Sequence, residues 1–195
     1  MIPNLETNFL ETNHIRLHVM QAGPNDGPLV ILLHGFPEFW YGWRHQIEPL
    51  VEAGFRVLVP DQRGYNLSEK PAGIDAYRIG TLARDVIGLI DAAGREKASL
   101  VGHDWGAAVA WYVASRFPER LQKLAILNVP HPQVMVDTLP GSPRQMLKSW
   151  YIFFFQIPRF PEWVMSRRNF ALMRRMMHAS ANPGTFSESD LDPVP

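Results

Sequence analysis

The feature that most constrains the fold is the pentapeptide Gly-His-Asp-Trp-Gly at residues 102–106. It ends an apolar run and is followed by an alanine-rich stretch. Where a strand turns at once into a helix, the two backbones pass so closely that a Cβ two positions before or after the tip would clash. Gly102 and Gly106 meet that requirement on both sides. The sequence therefore predicts a sharp strand-to-helix turn with Asp104 at its tip.

A carboxylate at the tip of such a turn suggests a particular chemistry. A serine there would attack an acyl carbon, whereas a carboxylate attacks a saturated carbon with a good or activated leaving group and forms an alkyl ester. Epoxides and alkyl halides become the candidate substrates. The pentapeptide by itself leaves open a structural interpretation, in which Asp104 only caps the following helix.

The rest of the chain alternates between strand and helix patterns. Strands are predicted for the apolar, β-rich runs 14–21, 29–34, 56–61, 98–103 and 123–128. The first run alternates in polarity, which is typical of a half-exposed antiparallel edge, and the later continuous runs are typical of buried parallel strands.

Helices are predicted between these strands. Residues 82–93 carry an apolar stripe, with Thr81 as the N-cap and Gly94 as the stop, and residues 105–116 form a second helix. This order predicts an α/β fold with a mostly parallel, doubly wound sheet and a site at the carboxyl ends of its strands. His34, Asp61 and Asp104 all fall at such ends.

The amino-acid composition of the chain changes after residue 132. A linker rich in proline and glycine leads into a segment rich in aromatic residues, methionine and arginine. We therefore divide the chain into residues 1–132, the N-terminal part of the core, and residues 133–195, the start of a helical cap or lid. The basic residues between 144 and 178 indicate a solvated helical face rather than a nucleic-acid site, because they are not interleaved with stacking positions.

Composition narrows the range of partners. The formal net charge is +0, so no overall field favours nucleic acid or an anionic membrane. The chain has no cysteine, no basic-then-apolar start typical of a secretion signal, and no apolar stretch near the 20 or so residues that span a bilayer. These features predict a cytoplasmic protein with a small, neutral partner and no membrane contact.

Two further motifs lie at predicted strand ends. His-Gly-Phe-Pro-Glu at 34–38 forms a turn that can direct the Phe36 N–H towards the sheet ends, where it would join the Trp105 N–H as a two-donor oxyanion hole. The segment 61–68, Asp-Gln-Arg-Gly-Tyr-Asn-Leu-Ser, carries a second strand-end carboxylate, Asp61, but no strand-to-helix turn. We assign Asp61 to structure.

Taken in order, these three motifs resemble those of the epoxide hydrolases of the α/β-hydrolase superfamily, over essentially the whole chain. The resemblance implies an α/β-hydrolase fold with a helical lid. The sequence has no phosphate loop, no HExxH motif and no set of thiolates, so we expect no cofactor and no metal. It implies that Asp104 is the nucleophile, that Phe36 and Trp105 are the oxyanion donors and that Pro37 is a cis-proline. The segment 149–156 resembles the opening of the lid, and its Tyr151 matches the acid that assists the departing oxygen. Pro37, Trp105 and Tyr151 would line the substrate site.

The resemblance also implies a complete reaction. A small apolar epoxide and water would give a vicinal diol through an ester on Asp104, which a histidine oriented by an Asp or Glu later hydrolyses. None of the seven histidines matches that base in order or context. We therefore expect a C-terminally truncated chain with an incomplete lid, without steady turnover, and with an unpaired sheet edge that allows self-association.

Two alternatives remain open. A haloalkane dehalogenase would share the carboxylate and the alkyl ester but would stabilise a halide, which the Trp105 indole could do; Tyr151 favours the epoxide. A non-catalytic fragment or interaction module is the third interpretation.

Overall fold

A computed structural model describes residues 5–138, 141–182 and 185. Pro140 of the predicted linker and most of the predicted lid beyond residue 182 lie outside the described residues. Contacts divide the chain into two compact units, residues 1–135 and 136–195. The division lies three residues from the predicted one.

Six strands form one sheet in the first unit. They are β1 Glu6–Thr12, β2 Ile15–Ala22, β3 Leu29–Leu33, β4 Arg56–Pro60, β5 Ala98–His103 and β6 Leu121–Leu127. Their order across the sheet is β1-β2-β4-β3-β5-β6. The pairings β1/β2 and β2/β4 are antiparallel, and the others are parallel. The predicted α/β architecture is confirmed.

The described residues contain seven α-helices. They are α1 Arg44–Glu52, α2 Ile79–Ala92, α3 Trp105–Arg116, α4 Pro132–Thr138, α5 Pro143–Lys148, α6 Trp150–Phe154 and α7 Phe160–Ser180. None of them is long and apolar enough to cross a bilayer.

Apolar clusters cover both faces of the sheet. One cluster packs side chains of β2, β3 and β5 against α2 and α3, and the other packs β2, β3 and β4 against α1. Every residue of β3 is buried, which is why its sequence is a continuous apolar run. Burial on both faces fixes β3 in place, and β5, which pairs with β3 and is buried at every second residue, is anchored beside it.

The predicted position of the first strand in the sheet was wrong. We expected residues 14–21 at a half-exposed edge, but β2 lies between β1 and β4 and is buried at every position except Arg16. The edge strand is β1, which the sequence analysis did not assign. Its polar, mostly exposed residues provide no burial pattern from which to identify it.

The predicted start of helix α2 was also displaced. The helix begins at Ile79 after Arg78, and no side chain caps it, so Thr81 lies inside the first turn rather than at the N-cap. At its other end Gly94 has φ +67, the left-handed conformation expected of a stop. Helix α3 spans the predicted residues.

A buried ion pair joins the loop after β4 to helix α2. Arg63 donates to both carboxylate oxygens of Asp85, at 2.8 and 2.7 Å, and the two side chains are 6% and 5% exposed. The same carboxylate accepts a hydrogen bond from the Asn13 side chain at 2.7 Å, which ties in the β1–β2 turn. Three segments that are distant in sequence therefore meet at Asp85.

We expect Asp85→Ala to lower the free energy of unfolding by about 3–5 kcal/mol, because it leaves the Arg63 cation buried and unpaired. The matched control is Asp75→Ala, which removes the exposed Asp75–Arg78 pair and should change stability little. Urea denaturation followed by circular dichroism measures both. Equal losses in the two variants would contradict the assignment.

Candidate active site

Asp104 occupies a strained backbone conformation between β5 and α3. Its φ is +49° and its ψ −117°, a combination that non-glycine residues rarely adopt. A Cβ on Gly102 would lie 2.6 Å from the Gly106 carbonyl oxygen, and one on Gly106 would lie 2.5 Å from the carbonyl oxygens of Leu33 and His34. The turn therefore closes only because both positions lack a side chain.

The loop after β3 packs directly against the Asp104 side chain. A Cβ on Gly35 would lie 2.5 Å from the Asp104 Cβ, so this position also requires glycine. The next residue, Phe36, donates its backbone N–H to Oδ1 of Asp104 at 2.9 Å. The Phe36–Pro37 peptide bond is cis, as the resemblance implied for Pro37.

The second predicted donor lies at the start of helix α3. Trp105 is the first residue of the helix, so its N–H has no acceptor within the helix. Its side chain is 42% exposed. The first unit thus brings together Asp104, Phe36 and Trp105.

Asp61 differs from Asp104 in that both of its carboxylate oxygens accept hydrogen bonds. It is 0% exposed. Oδ1 accepts the Trp40 N–H at 2.9 Å, and Oδ2 accepts hydrogen bonds from the side chains of Asn66, at 2.8 Å, and His18, at 2.7 Å. This geometry agrees with the interpretation of Asp61 as part of the scaffold.

His34 is also engaged on both ring nitrogens. Its Nδ1 donates to the Gly35 carbonyl at 2.9 Å, and its Nε2 accepts the Gln62 N–H at 3.0 Å. Complete burial lowers the pKa of His34, because desolvation disfavours the imidazolium. A neutral ring with both nitrogens bonded is a scaffold element.

His103, next to Asp104, has a carboxylate partner. Its Nδ1 lies 3.3 Å from Oε2 of Glu38, and its Nε2 lies 3.1 Å from the Asn128 side-chain amide. The Glu38 hydrogen bond raises the pKa of His103. The sequence does not identify Glu38 as the partner of His103, because the two residues are 65 positions apart and only the fold brings them together.

Tyr65 is a further aromatic residue near the site that sequence reasoning did not single out. Its ring packs edge-on against His34 at 4.7 Å. Burial, reinforced by the negative charge of Asp104, raises the pKa of Tyr65 to about 12. The phenol therefore stays protonated beside the carboxylate.

Tyr151 belongs to the second unit. It lies in α6 with its side chain 44% exposed, among aromatic neighbours such as the Trp150–Phe154 pair, whose ring centroids are 5.6 Å apart.

Within residues 5–138 and 141–182 no group of three or more histidine, aspartate or glutamate side chains forms a candidate metal site.

Comparison with known proteins gives a consistent family signal. The family model described as alpha/beta hydrolase fold matches residues 28–189. An AB hydrolase superfamily protein, YfhM of Bacillus subtilis, is 54% identical over 187 residues, covering 96% of this chain and 65% of that protein. Epoxide hydrolase 4 of Mus musculus is 40% identical over 177 residues, covering 89% of this chain and 49% of that protein.

A solved structure extends the likeness to three dimensions. A mutant epoxide hydrolase from Bacillus megaterium, in complex with its naphthyloxypropanediol product, superimposes with a TM-score of 0.87 at 36% identity. The match covers 94% of this chain and 63% of that one. The chain thus spans about half to two thirds of the length of these relatives.

We expect Glu38→Gln to lower the pKa of His103, because the substitution removes the carboxylate whose hydrogen bond raises it. Nuclear magnetic resonance titration of the His103 imidazole measures the change. Since the raised pKa lies above the value of about 6.5 for an exposed histidine, the pair stabilises the fold fully below that pH. The stabilisation is lost as pH rises through the folded-state pKa. An unchanged titration curve would contradict the pairing.

Proposed function

Since the chain belongs to the α/β-hydrolase fold family, we propose that Asp104 is a nucleophile that opens epoxides through an alkyl-enzyme ester. The observation that carries this proposal is the hydrogen bond from the Phe36 N–H to Oδ1 of an aspartate held in a left-handed backbone conformation. Helix capping alone would not require that conformation, and the Asp104 side chain does not cap α3.

The hydrogen bond from the Phe36 N–H gives the two carboxylate oxygens of Asp104 different roles. Oδ1 faces the Phe36 amide, while Oδ2 accepts no hydrogen bond from the described residues and is the oxygen proposed to attack the epoxide carbon. After attack, Oδ1 is the carbonyl oxygen of the ester. When water adds to that ester, the negative charge develops on Oδ1, where the amides of Phe36 and Trp105 would stabilise it.

Opening the ring also expels an alkoxide, which needs a proton or a strong hydrogen bond as the C–O bond breaks. We assign that role to Tyr151. Its support is the motif at 149–156 and the similarity to epoxide hydrolases over the matched segment. Pro37, Trp105 and Tyr151 would then border the substrate.

The solved structure of the Bacillus megaterium relative supports a substrate class. The Bacillus megaterium enzyme was solved with a vicinal diol that carries a naphthyloxy group. We propose a small epoxide with an apolar substituent as the substrate, with water as the second reactant and a vicinal diol as the product.

Hydrolysis of the ester is the step for which the described residues provide the fewest candidate groups. Among the described residues no imidazole is hydrogen-bonded to the Asp104 carboxylate, and His34 is neutral with both nitrogens engaged. We therefore propose that the 195-residue chain forms the ester faster than it hydrolyses it.

A dehalogenase reaction is the second candidate, favoured by one observation. The exposed Trp105 side chain directly follows the nucleophile, and an indole N–H can stabilise a departing halide. Halide release from a haloalkane without alkylation by epoxides would select this alternative.

The central prediction is covalent labelling of Asp104. Incubation with 1-naphthyl glycidyl ether should add one equivalent of the epoxide to the chain, and peptide mass spectrometry should locate it on Asp104. Asp104→Asn should abolish the adduct, because the amide is a poor nucleophile. The matched control Asp75→Asn, at an exposed carboxylate, should label like the unmodified chain. An adduct of equal yield in Asp104→Asn would refute the proposal.

The role of Tyr151 can be tested separately. Tyr151→Phe should slow formation of the Asp104 adduct about 100-fold, which is within the usual range for loss of a general acid. Phe153→Leu, at a neighbouring exposed aromatic residue of α6, is the control and should change the rate little. Equal rates for Tyr151→Phe and the unmodified chain would remove Tyr151 from the mechanism but leave Asp104 in place.

A further inference from the structure

A second set of hydrogen-bonded polar side chains lies at the antiparallel side of the sheet and does not include Asp104. The Thr7 hydroxyl oxygen, on edge strand β1, is 2.7 Å from Nε2 of His18 on β2. Nδ1 of His18 is in turn 2.7 Å from Oδ2 of Asp61, which follows β4. Hydroxyl, imidazole and carboxylate stand in the order that activates a nucleophile in acyl-transfer sites.

The carboxylate fixes the tautomer of the imidazole. Because the Asp61 carboxylate can only accept a hydrogen bond, the Nδ1 of His18 must carry a proton. The remaining hydrogen bonds to Asp61, from Trp40 and Asn66, hold the carboxylate in one orientation. In the neutral ring the lone pair is therefore on Nε2 and faces the Thr7 hydroxyl.

The base is immobilised behind the nucleophile. His18 is 2% exposed, and the Phe9 ring packs against it with centroids 5.4 Å apart. The backbone of the same residue is held by the Ser68 hydroxyl at 2.9 Å, and that hydroxyl donates to the Asp61 carbonyl. Little conformational freedom remains to be lost when the imidazole accepts a proton.

Thr7, in contrast, is reachable from solvent. It is an exposed residue of the edge strand β1. Its hydrogen bond to His18 is part-buried, and with the hydroxyl hydrogen donated to Nε2 the oxygen lone pairs are left for an incoming electrophile. An exposed threonine, a buried base and a buried carboxylate together make a nucleophile that needs no residue of the Asp104 site.

We propose that Thr7 is a second nucleophile of this chain and accepts acyl groups from activated esters. The Thr7 oxygen attacks the ester carbonyl, and its proton passes to Nε2 of His18. The tetrahedral intermediate collapses with cleavage of the carbonyl carbon–leaving group bond. The leaving alkoxide or phenoxide departs with its electron pair and takes the proton from His18, and the acyl group remains as an ester on Thr7.

This chemistry differs in kind from that proposed for Asp104. The carboxylate of Asp104 reacts at saturated carbon, whereas the Thr7 hydroxyl reacts at an acyl carbon. Since solvent rather than a set of fixed amides stabilises the intermediate at the exposed strand, we expect a single acylation per chain instead of rapid turnover.

The test is acetylation of the full chain by p-nitrophenyl acetate at pH 8, with release of p-nitrophenolate followed by absorbance and the acetyl group located by peptide mass spectrometry. The expected result is one equivalent on Thr7. Thr7→Val keeps the branched shape but should abolish that acetylation, and Thr7→Ser should retain it. Thr138→Val, at an exposed threonine for which the described residues provide no hydrogen-bonded histidine, should leave it unchanged.

His18→Gln should lower the acetylation rate about 100-fold, since it removes the base. If that variant does not fold, the tautomer of His18 in the unmodified chain tests the proposal instead. A protonated Nδ1 and an unprotonated Nε2 in nitrogen-15 spectra at pH 8 support the proposal, and a protonated Nε2 overturns it. Absence of acetyl from Thr7, or equal rates in a folded His18→Gln, also overturns it. Thr7→Val should still be alkylated at Asp104, so each proposal can fail independently of the other.

Discussion

The structure of the site depends on how closely three backbone segments approach one carboxylate. Gly35, Gly102 and Gly106 each lie where an added Cβ would meet another atom at 2.5–2.6 Å. This crowding forces Asp104 into its left-handed conformation and places the Phe36 amide within hydrogen-bond distance of its side chain. Strain of this kind persists only where the surrounding structure over-determines it. Strand β3, which is buried throughout, and its paired strand β5 supply that support, because they fix the ends from which the segments emerge.

Two carboxylates at strand ends illustrate how surroundings decide what a side chain can do. Asp61 and Asp104 follow parallel strands of the same sheet, yet Asp61 is completely buried with three hydrogen bonds to its side chain, while Asp104 receives one. Both oxygens of Asp61 are hydrogen-bonded and buried away from any electrophile, whereas Oδ2 of Asp104 accepts no hydrogen bond from the described residues. The same contrast separates the histidines: His34 is enclosed and neutral, whereas His103 is partly open and held by Glu38.

Much of this arrangement could be predicted from the sequence because it depends on local chemistry. The spacing of Gly102 and Gly106 identifies the turn, and continuous apolar runs identify the buried strands. Strand β1 was missed because its side chains are mostly exposed, so burial imposes no pattern on its sequence. The same omission placed β2 at the edge. The start of α2 was misplaced because Ile79 and Gly80 enter the helix without a capping side chain.

Long-range pairs escaped prediction for a different reason. Glu38 and His103, or His18 and Asp61, are linked only through the strand order, which no spacing in the sequence encodes.

The hydrogen bonds of Asp61 have a consequence for protein engineering. Its hydrogen bond to the Trp40 amide couples strand β2 to the stretch of chain that follows Pro37. We therefore expect substitutions next to His18 to shift the Trp40 backbone, so that an engineer can reshape the loop after β3 from a residue two strands away in the sheet.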